Sequence, residues 1–492
     1  MKSTQDLYSS SLALLTDLYQ ITMAAGYWKG GRADQQAVFH MFFRKCPFRS
    51  GYAIAAGLET FLEFVEAFHF TADDIEYLRS IQGNDGHALF EEDFLRYLSE
   101  LKLDIDVDAI PEGTVVMPHE PLVRIRGSIL QAQLLETALL NIINFQTLIA
   151  TKSARVCRAA RGEPVLEFGL RRAQGIDGSL SASRAAHIGG CAATSNVLAG
   201  KLFGIPVRGT HAHSWVMSFD SELEAFREYS IAMPNNCVFL VDTYDTLEGV
   251  RNAIRIGQQL RTTGHKLVGI RLDSGDLAGL SIEARKLLDA AGFTDAAIVA
   301  SNDLDEHSIE NLKSQGAQIQ VWGVGTKLVT AYDQPALGGV YKLGAIRQPG
   351  GDWIPKVKLS EQLVKTSIPG ILQVRRFYRE NLAFADMIYN ELAPPQSNQT
   401  SLINPLDVTR KTRLTDADVY DDLLQSVLRS GQRVAPVRSL TELRSHCQRQ
   451  LSIFHDSTVR LENPQVYPVG LESGLYDLKS TLVQSSQTTG QV

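Results

Sequence analysis

Between Ile129 and Val329, short apolar runs alternate with longer stretches whose apolar residues recur every three or four positions, the rhythm of parallel βα units. The runs 165–168, 205–208, 238–241, 267–272, 297–300 and 319–321 predict strands. Stretches 247–260, 280–290 and 307–314 predict helices, with Gly264, Gly292 and Gly316 standing where C-caps would. A repeat of about thirty residues suits a (β/α) barrel or a doubly wound sheet. Elsewhere the pattern changes. Helical N-terminal stretches give way to β-like runs at 115–116 and 122–125, punctuated by Pro111, Gly113, Pro118 and Pro121. After Gly344, β-like runs at 353–359 and 371–378 follow with no helical pattern between them. These observations predict a barrel over 129–344. Segments 1–128 and 345–484 are expected to pair into one further α/β domain, and the Ser/Gln/Thr/Gly-rich tail 485–492 to be disordered.

Length agrees with that division, because 492 residues exceed one ordinary core. A net charge of −7 supplies no global basic field, so nucleic acid and anionic membrane surfaces are not expected partners, and an anionic ligand must meet a local Arg or Lys cluster. Cys46, Cys157, Cys191, Cys237 and Cys447 show no metal spacing, which points to a reducing compartment without structural zinc. No leader-like or membrane-length apolar run occurs, and a cytoplasmic location is the expectation.

Chemistry-bearing residues follow the predicted strands one after another: Arg171 and Arg172, then Thr210, His211 and His213, then Asp242, Asp273, Asn302 and Thr326. Strand C-terminal ends are where both architectures build active sites. Any one such residue can be an ordinary loop start, but six units in succession argue for an enzyme.

In Gly209-Thr210-His211-Ala212-His213, two histidines one residue apart point to opposite sides of an extended chain, so one catalytic and one accessory histidine is expected rather than a chelating pair. In Arg271-Leu272-Asp273-Ser274-Gly275-Asp276 a carboxylate-binding fork shares a face with an acid able to hold ribose hydroxyls or Mg²⁺; an internal Arg–Asp brace is the lesser reading and is compatible with it. Ser274-Gly275-Asp276 predicts a tight turn into a capped helix. Gly323-Val324-Gly325-Thr326-Lys327 places two glycines, a hydroxyl and a cation after a late strand, suited to cradling phosphate. Adjacent Arg171 and Arg172 repel unless an anion or acid lies between them.

The chain resembles nicotinate phosphoribosyltransferases, from Thr16-Asp17-Leu18-Tyr19-Gln20 to Pro468-Val469-Gly470-Leu471. The resemblance rests on Phe43-Arg44-Lys45, Glu167-Phe168-Gly169-Leu170-Arg171-Arg172, Ser195-Asn196-Val197-Leu198-Ala199-Gly200, Ala212-His213-Ser214, Arg271-Leu272-Asp273-Ser274-Gly275-Asp276 and Gly325-Thr326. It implies the atypical α/β barrel of the type II phosphoribosyltransferases and a homodimer with shared sites. It also implies ATP-coupled synthesis of nicotinate mononucleotide from nicotinate and 5-phosphoribosyl 1-diphosphate, with Mg²⁺ or Mn²⁺. By the same resemblance His213 is the phosphorylated histidine, Tyr19 stacks on the pyridine ring, and Thr210 and Arg271 contact nicotinate. Thr326, with Gly323 and Gly325, meets the phosphoribosyl phosphate, and Arg171 lines that pocket. Asp273 serves the sugar or the metal, Arg44 and Lys45 the diphosphate or ATP, and Asn302 is a further contact. His211 departs from the family pattern, where a neutral residue is usual, and leaves open which histidine accepts phosphate. A nicotinamide or quinolinate phosphoribosyltransferase, or a catalytically silent relative, are the alternatives.

Overall fold

The computed structural model describes residues 11–488 except 361, 363–364, 398–400, 405–406, 408, 410 and 416–418. The chain divides into two compact units. One comprises residues 148–335 with 440–445; the other is assembled from 1–147, 336–439 and 446–492. The boundaries expected at 128 and 344 therefore move. The helix Glu136–Ala159 runs across the first boundary, and the strand Val340–Arg347 pairs antiparallel with Gln36–Phe42, which draws it into the unit made from the chain ends.

The central unit holds six parallel strands: β1 (Val165–Glu167), β2 (Ala193–Thr194), β3 (Val238–Leu240), β4 (Gly269–Leu272), β5 (Ala297–Ala300) and β6 (Val321–Val324). Their order across the sheet is β2-β1-β6-β5-β4-β3. Parallel strands joined through helices make this the α/β arrangement that the alternating pattern predicts. The helices between strands begin where the sequence supplies caps. Asp245, Asp276 and Asp305 accept from the N–H groups of Glu248, Gly279 and Ser308 at 2.8, 3.2 and 2.8 Å. Gly264, Gly292 and Gly316 close helices at positive φ, which only glycine adopts without cost.

Two expected strands differ. Residues 205–208 form no strand, only one bridge from Val207 to Thr194, because Pro206 has no N–H to give a ladder. The run expected at 319–321 lies later, at β6. Gly323 lowers its strand propensity, yet glycine belongs there: an added Cβ would lie 2.8 Å from the Phe168 ring.

Among the described residues the other unit contains a seven-stranded antiparallel sheet centred on Gln36–Phe42 and Val123–Ser128, and a six-stranded mixed sheet centred on Leu382–Asn390 and Val469–Leu471, with Leu372–Arg379 beside them. The 353–359 run is a strand only over Ile354–Pro355. The C-terminal helix Ser473–Thr488 carries Leu475 and Leu478 into a core with Leu372 and Ile388. That packing extends helix into the segment expected to be disordered; residues 489–492 lie outside the described residues. Among the described residues no helix is long and apolar enough to cross a membrane.

Candidate active site

The C-terminal ends of the parallel strands meet at a cavity of about 580 Å³. It is lined by Arg171, Arg172, Thr210, His211, His213, Arg271, Asp273, Asn302, Gly323, Gly325 and Thr326, all singled out from the sequence, together with Phe168, Ser195, Ser301 and Asp303. Thus eleven expected residues from five separated segments share one pocket. Tyr19, Arg44 and Lys45 belong to the other unit. Tyr19 lies in the helix Leu18–Lys29 and is 48% exposed, an aromatic ring unburied within this chain.

β1 delivers the two arginines. Glu167, buried at its end, accepts from Ser183 Oγ (2.8 Å), Thr194 Oγ1 (2.6 Å) and the Gly169 N–H, so the turn carrying Phe168 to Arg172 hangs from a saturated carboxylate. Arg171 and Arg172 form a short 3₁₀ turn and face the cavity exposed. Neither has a carboxylate at ion-pair distance among the described residues.

β4 delivers the fork and the acid, and they do not brace each other. Arg271 donates through Nη1 to Thr210 Oγ1 at 2.7 Å, while its Nε is buried without a partner. Burial lowers the Arg271 pKa, opposed by the Asp273 and Asp242 charges, yet a guanidinium in this setting stays protonated. Asp273 accepts from Ser301 Oγ, and its Oδ2 stands 3.7 Å from His213 Nε2. Its own N–H is held by Asp242 Oδ2 at 2.9 Å, an oxygen that also accepts from Ser274 Oγ at 2.6 Å. Asp242 Oδ1 is buried and unpartnered. An orphaned carboxylate oxygen near a cavity costs free energy unless something pairs with it.

The two histidines separate as the alternation demands. His213, whose side chain is 39% exposed, places Nδ1 3.1 Å from Thr243 Oγ1 and directs Nε2 toward Asp273. His211 is 8% exposed and packs against Phe226, Tyr229 and Phe239. Its Nε2 accepts from the Leu240 N–H at 3.3 Å, which puts the ring proton on Nδ1, 3.5 Å from the Ala212 carbonyl. Burial, aided by Arg271 and His213, pulls its pKa down to about 4 against the Ala212 bond. With both nitrogens engaged, His211 has no free nucleophilic lone pair.

Gly325 precedes the short helix Thr326–Val329 and leaves the Thr326 end open to the cavity. Lys327, read as a cation of the same cradle, instead bonds Asp305 Oδ2 at 2.8 Å and is absent from the lining. Burial would raise the Asp305 pKa, but the Lys327 and Ser308 bonds outweigh it and bring it to about 2. Asn302 and Asp303 follow β5 at φ 102° and 40°, a strained turn of the kind found at binding sites. Ser301, Asp303, Ser195 and Thr243 were not foreseen. Ser301 was within reach of the strand-end rule that picked Asn302, whereas Thr243 becomes visible only through its partner, His213.

A hard divalent cation is compatible with this donor set. Mg²⁺ often takes one or two protein carboxylates and completes its shell with phosphates and water. Asp273 and Asp242, with its orphaned Oδ1, meet that need, although among the described residues no group of three or more His, Cys, Asp or Glu gathers for a metal, here or elsewhere. A further cavity of about 860 Å³ shares Phe168, Gly209, Thr210 and Arg271 with the first, so Arg271 stands at their junction.

Known proteins resemble the chain over most of its length. Models of the nicotinate phosphoribosyltransferase N-terminal domain, of the family itself and of its C-terminal domain match residues 14–144, 164–350 and 372–479. The chain is similar to the nicotinate phosphoribosyltransferase of Bacillus subtilis, 44% identical over 475 residues that cover 95% of this chain and 94% of the relative. The crystal structure of human nicotinic acid phosphoribosyltransferase superposes with a TM-score of 0.83 at 34% identity, covering 95% of this chain and 99% of the human one. A nicotinate-nucleotide pyrophosphorylase from Pyrococcus furiosus shares the fold at TM-score 0.67 and 20% identity, over 92% of this chain and 98% of its own.

Proposed function

The chain belongs to the nicotinate phosphoribosyltransferase family, and on that premise we propose that it joins nicotinate to 5-phosphoribosyl 1-diphosphate, yielding nicotinate mononucleotide and diphosphate, with ATP hydrolysis coupled through His213. One observation carries the reading: the Arg271–Thr210 pair opens into the same pocket as His213 and Asp273.

Each part has a physical task. The Arg271 fork, with an Nε still to be satisfied, receives a pyridine carboxylate, and the neutral amide of nicotinamide would satisfy it less well. Displacing diphosphate from the anomeric carbon passes through an oxocarbenium-like state, so positive charge is needed at the leaving group and negative charge beside the sugar. Arg171 stands for the first need and Asp273 for the second. Gly323, Gly325 and Thr326 take the 5-phosphate through exposed backbone N–H groups and a hydroxyl, with Asn302 a neighbouring contact. Mg²⁺ or Mn²⁺, held by Asp273 with Asp242, would screen the charge of the diphosphate. Arg44 and Lys45 serve the diphosphate or ATP. Tyr19 stacks on the pyridine ring as part of a homodimer, which gives its exposed face a use.

A phosphate on His213 adds negative charge beside Asp273 and Thr243, which recruits the cation and raises affinity for the diphosphate substrate by shifting a population rather than by attack on the sugar. Incubating the protein with nicotinate, nicotinamide or quinolinate, each with 5-phosphoribosyl 1-diphosphate and ATP, tests the reading. ATP hydrolysis and nucleotide formation that depend on nicotinate are expected; equal turnover of either other pyridine overturns it.

A further inference from the structure

The parallel sheet has an open edge at β3. Arg271 O accepts from the Val241 N–H on the β4 side, so the period-two alternation of a strand turns the Leu240 N–H the other way, to the unpaired edge. The segment facing that edge is 209–213, which carries Thr210 and His213, and no backbone ladder joins it to β3 among the described residues. Three links replace the ladder. Asn236 Nδ2 donates to Gly209 O at 3.2 Å, the Leu240 N–H donates to His211 Nε2 at 3.3 Å, and His213 Nδ1 lies 3.1 Å from Thr243 Oγ1. The bonded positions 209, 211 and 213 alternate as the residues of a strand do, while Thr210 between them meets Arg271 on the opposite side. Side chains therefore form rungs where the backbone of this segment makes none.

We propose that this side-chain ladder closes the seam of the barrel and that His211, its middle rung, is a positioning residue for both Thr210 and His213. His211 is suited to the place. Its cage of Phe226, Tyr229 and Phe239 excludes water from the Leu240 N–H, and the groups facing it are the Arg271 and His213 side chains and the Tyr229 ring. An imidazole neutral at working pH gives that N–H an acceptor and returns its own proton toward Ala212, the residue before His213. Without the rung, a buried N–H is left unpaired and the 209–213 segment loses its anchor between the two reacting sites. The proposal rests on the reading of Thr210 and His213 given above.

Substitution separates an acceptor from a filler. In H211L the apolar cage stays filled but the acceptor goes; in H211Q an amide oxygen reaches the position of Nε2; in H211N it falls short. We expect H211L to raise the KM for nicotinate and to slow phosphoenzyme formation from ATP, each about tenfold, with the thermal midpoint within about 5 °C of the parent. H211Q should restore both to within about twofold, and H211N should resemble H211L. Parental H211L with a damaged H211Q is the signature of a space-filling ring and overturns the proposal, as do equal effects in all three variants. Should H211L not fold, the ranking of H211Q above H211N decides. If the parent forms no phosphoenzyme, the reading of His213 fails while the nicotinate KM still tests the rung.

Discussion

Two clusters of charge in this molecule use the same residue types to opposite ends. In the unit built from the chain ends, Arg376 and Asp386 are each 0% exposed and joined at 2.6 Å, and Asp386 also accepts from Tyr467 Oη at 2.9 Å. Glu120 beside them takes the Met117 N–H at 2.8 Å. Burial, then the Asp386 carboxylate, raises its pKa well above the usual range against Arg376 and Met117, so it keeps its proton. In the barrel pocket, Arg271 Nε and Asp242 Oδ1 are left unpaired, and Arg171 and Arg172 face solvent. In the first cluster Arg376 and Asp386 have spent their hydrogen-bonding capacity on each other and on Tyr467, while Glu120 Oε1 is sealed in the core without a partner, out of a ligand's reach. The second retains capacity that a ligand can use, and that difference marks a binding site better than charge density does.

The contrast breaks most sharply if the two arginines are exchanged in role. Removing the pocket fork in R271A should lower kcat/KM for nicotinate by about a hundredfold or more while thermal stability falls little, because apart from the Thr210 bond the lost bonds are made to substrate. Steady-state kinetics beside a melting curve checks it. R376M should do the reverse: it strands the buried Asp386 and costs about 3–5 kcal/mol of stability by chemical denaturation, with turnover per folded molecule unchanged. A stable R376M would place both clusters in one class.

Glu120 sharpens the same point through pH. A carboxyl whose folded pKa is raised contributes stability that is fully present below its unfolded pKa and fades as pH rises through the folded value. The parent should thus lose stability as pH climbs out of the ordinary carboxylate range, and E120Q, permanently neutral, should lose less. Melting temperatures across pH compare the slopes; parallel curves would contradict a protonated Glu120. The smallest effect belongs to K327A. Its partner is Asp305 rather than the cavity, so KM for 5-phosphoribosyl 1-diphosphate should change by less than about threefold, and stability by about 1 kcal/mol.

The pocket was legible in the sequence because barrel strands are short, apolar and regularly spaced, so whatever follows each one lies at a common rim. Asp276 announced its helix by capping, whereas the Asp305 cap shows only in the structure. The seam was not legible: Ile205-Pro206-Val207-Arg208 reads as a strand by composition, but its backbone bonds run to Thr194, and the side-chain links to β3 show only once Asn236, Leu240 and Thr243 lie alongside 209–213. Lys327 misled for a related reason. Its distance in sequence from Gly325 is that of a phosphate ligand, but the capping Asp305, 22 residues earlier, is nearer in space. His211 and His213 could be told apart as facing opposite ways, yet which one faced the core needed the Phe226, Tyr229 and Phe239 cage, assembled from two later segments.

The most direct test of the account is to treat the parent and H213A with ATP labelled in its γ-phosphate, and to measure nicotinate mononucleotide formation with and without ATP. The parent should carry acid-labile label on histidine and be stimulated by ATP; H213A should carry none, lose the stimulation and keep a slow ATP-independent transfer. Label on H213A at the parent's level, or loss of all transfer in that variant, would contradict the assignment of His213 as the coupling residue.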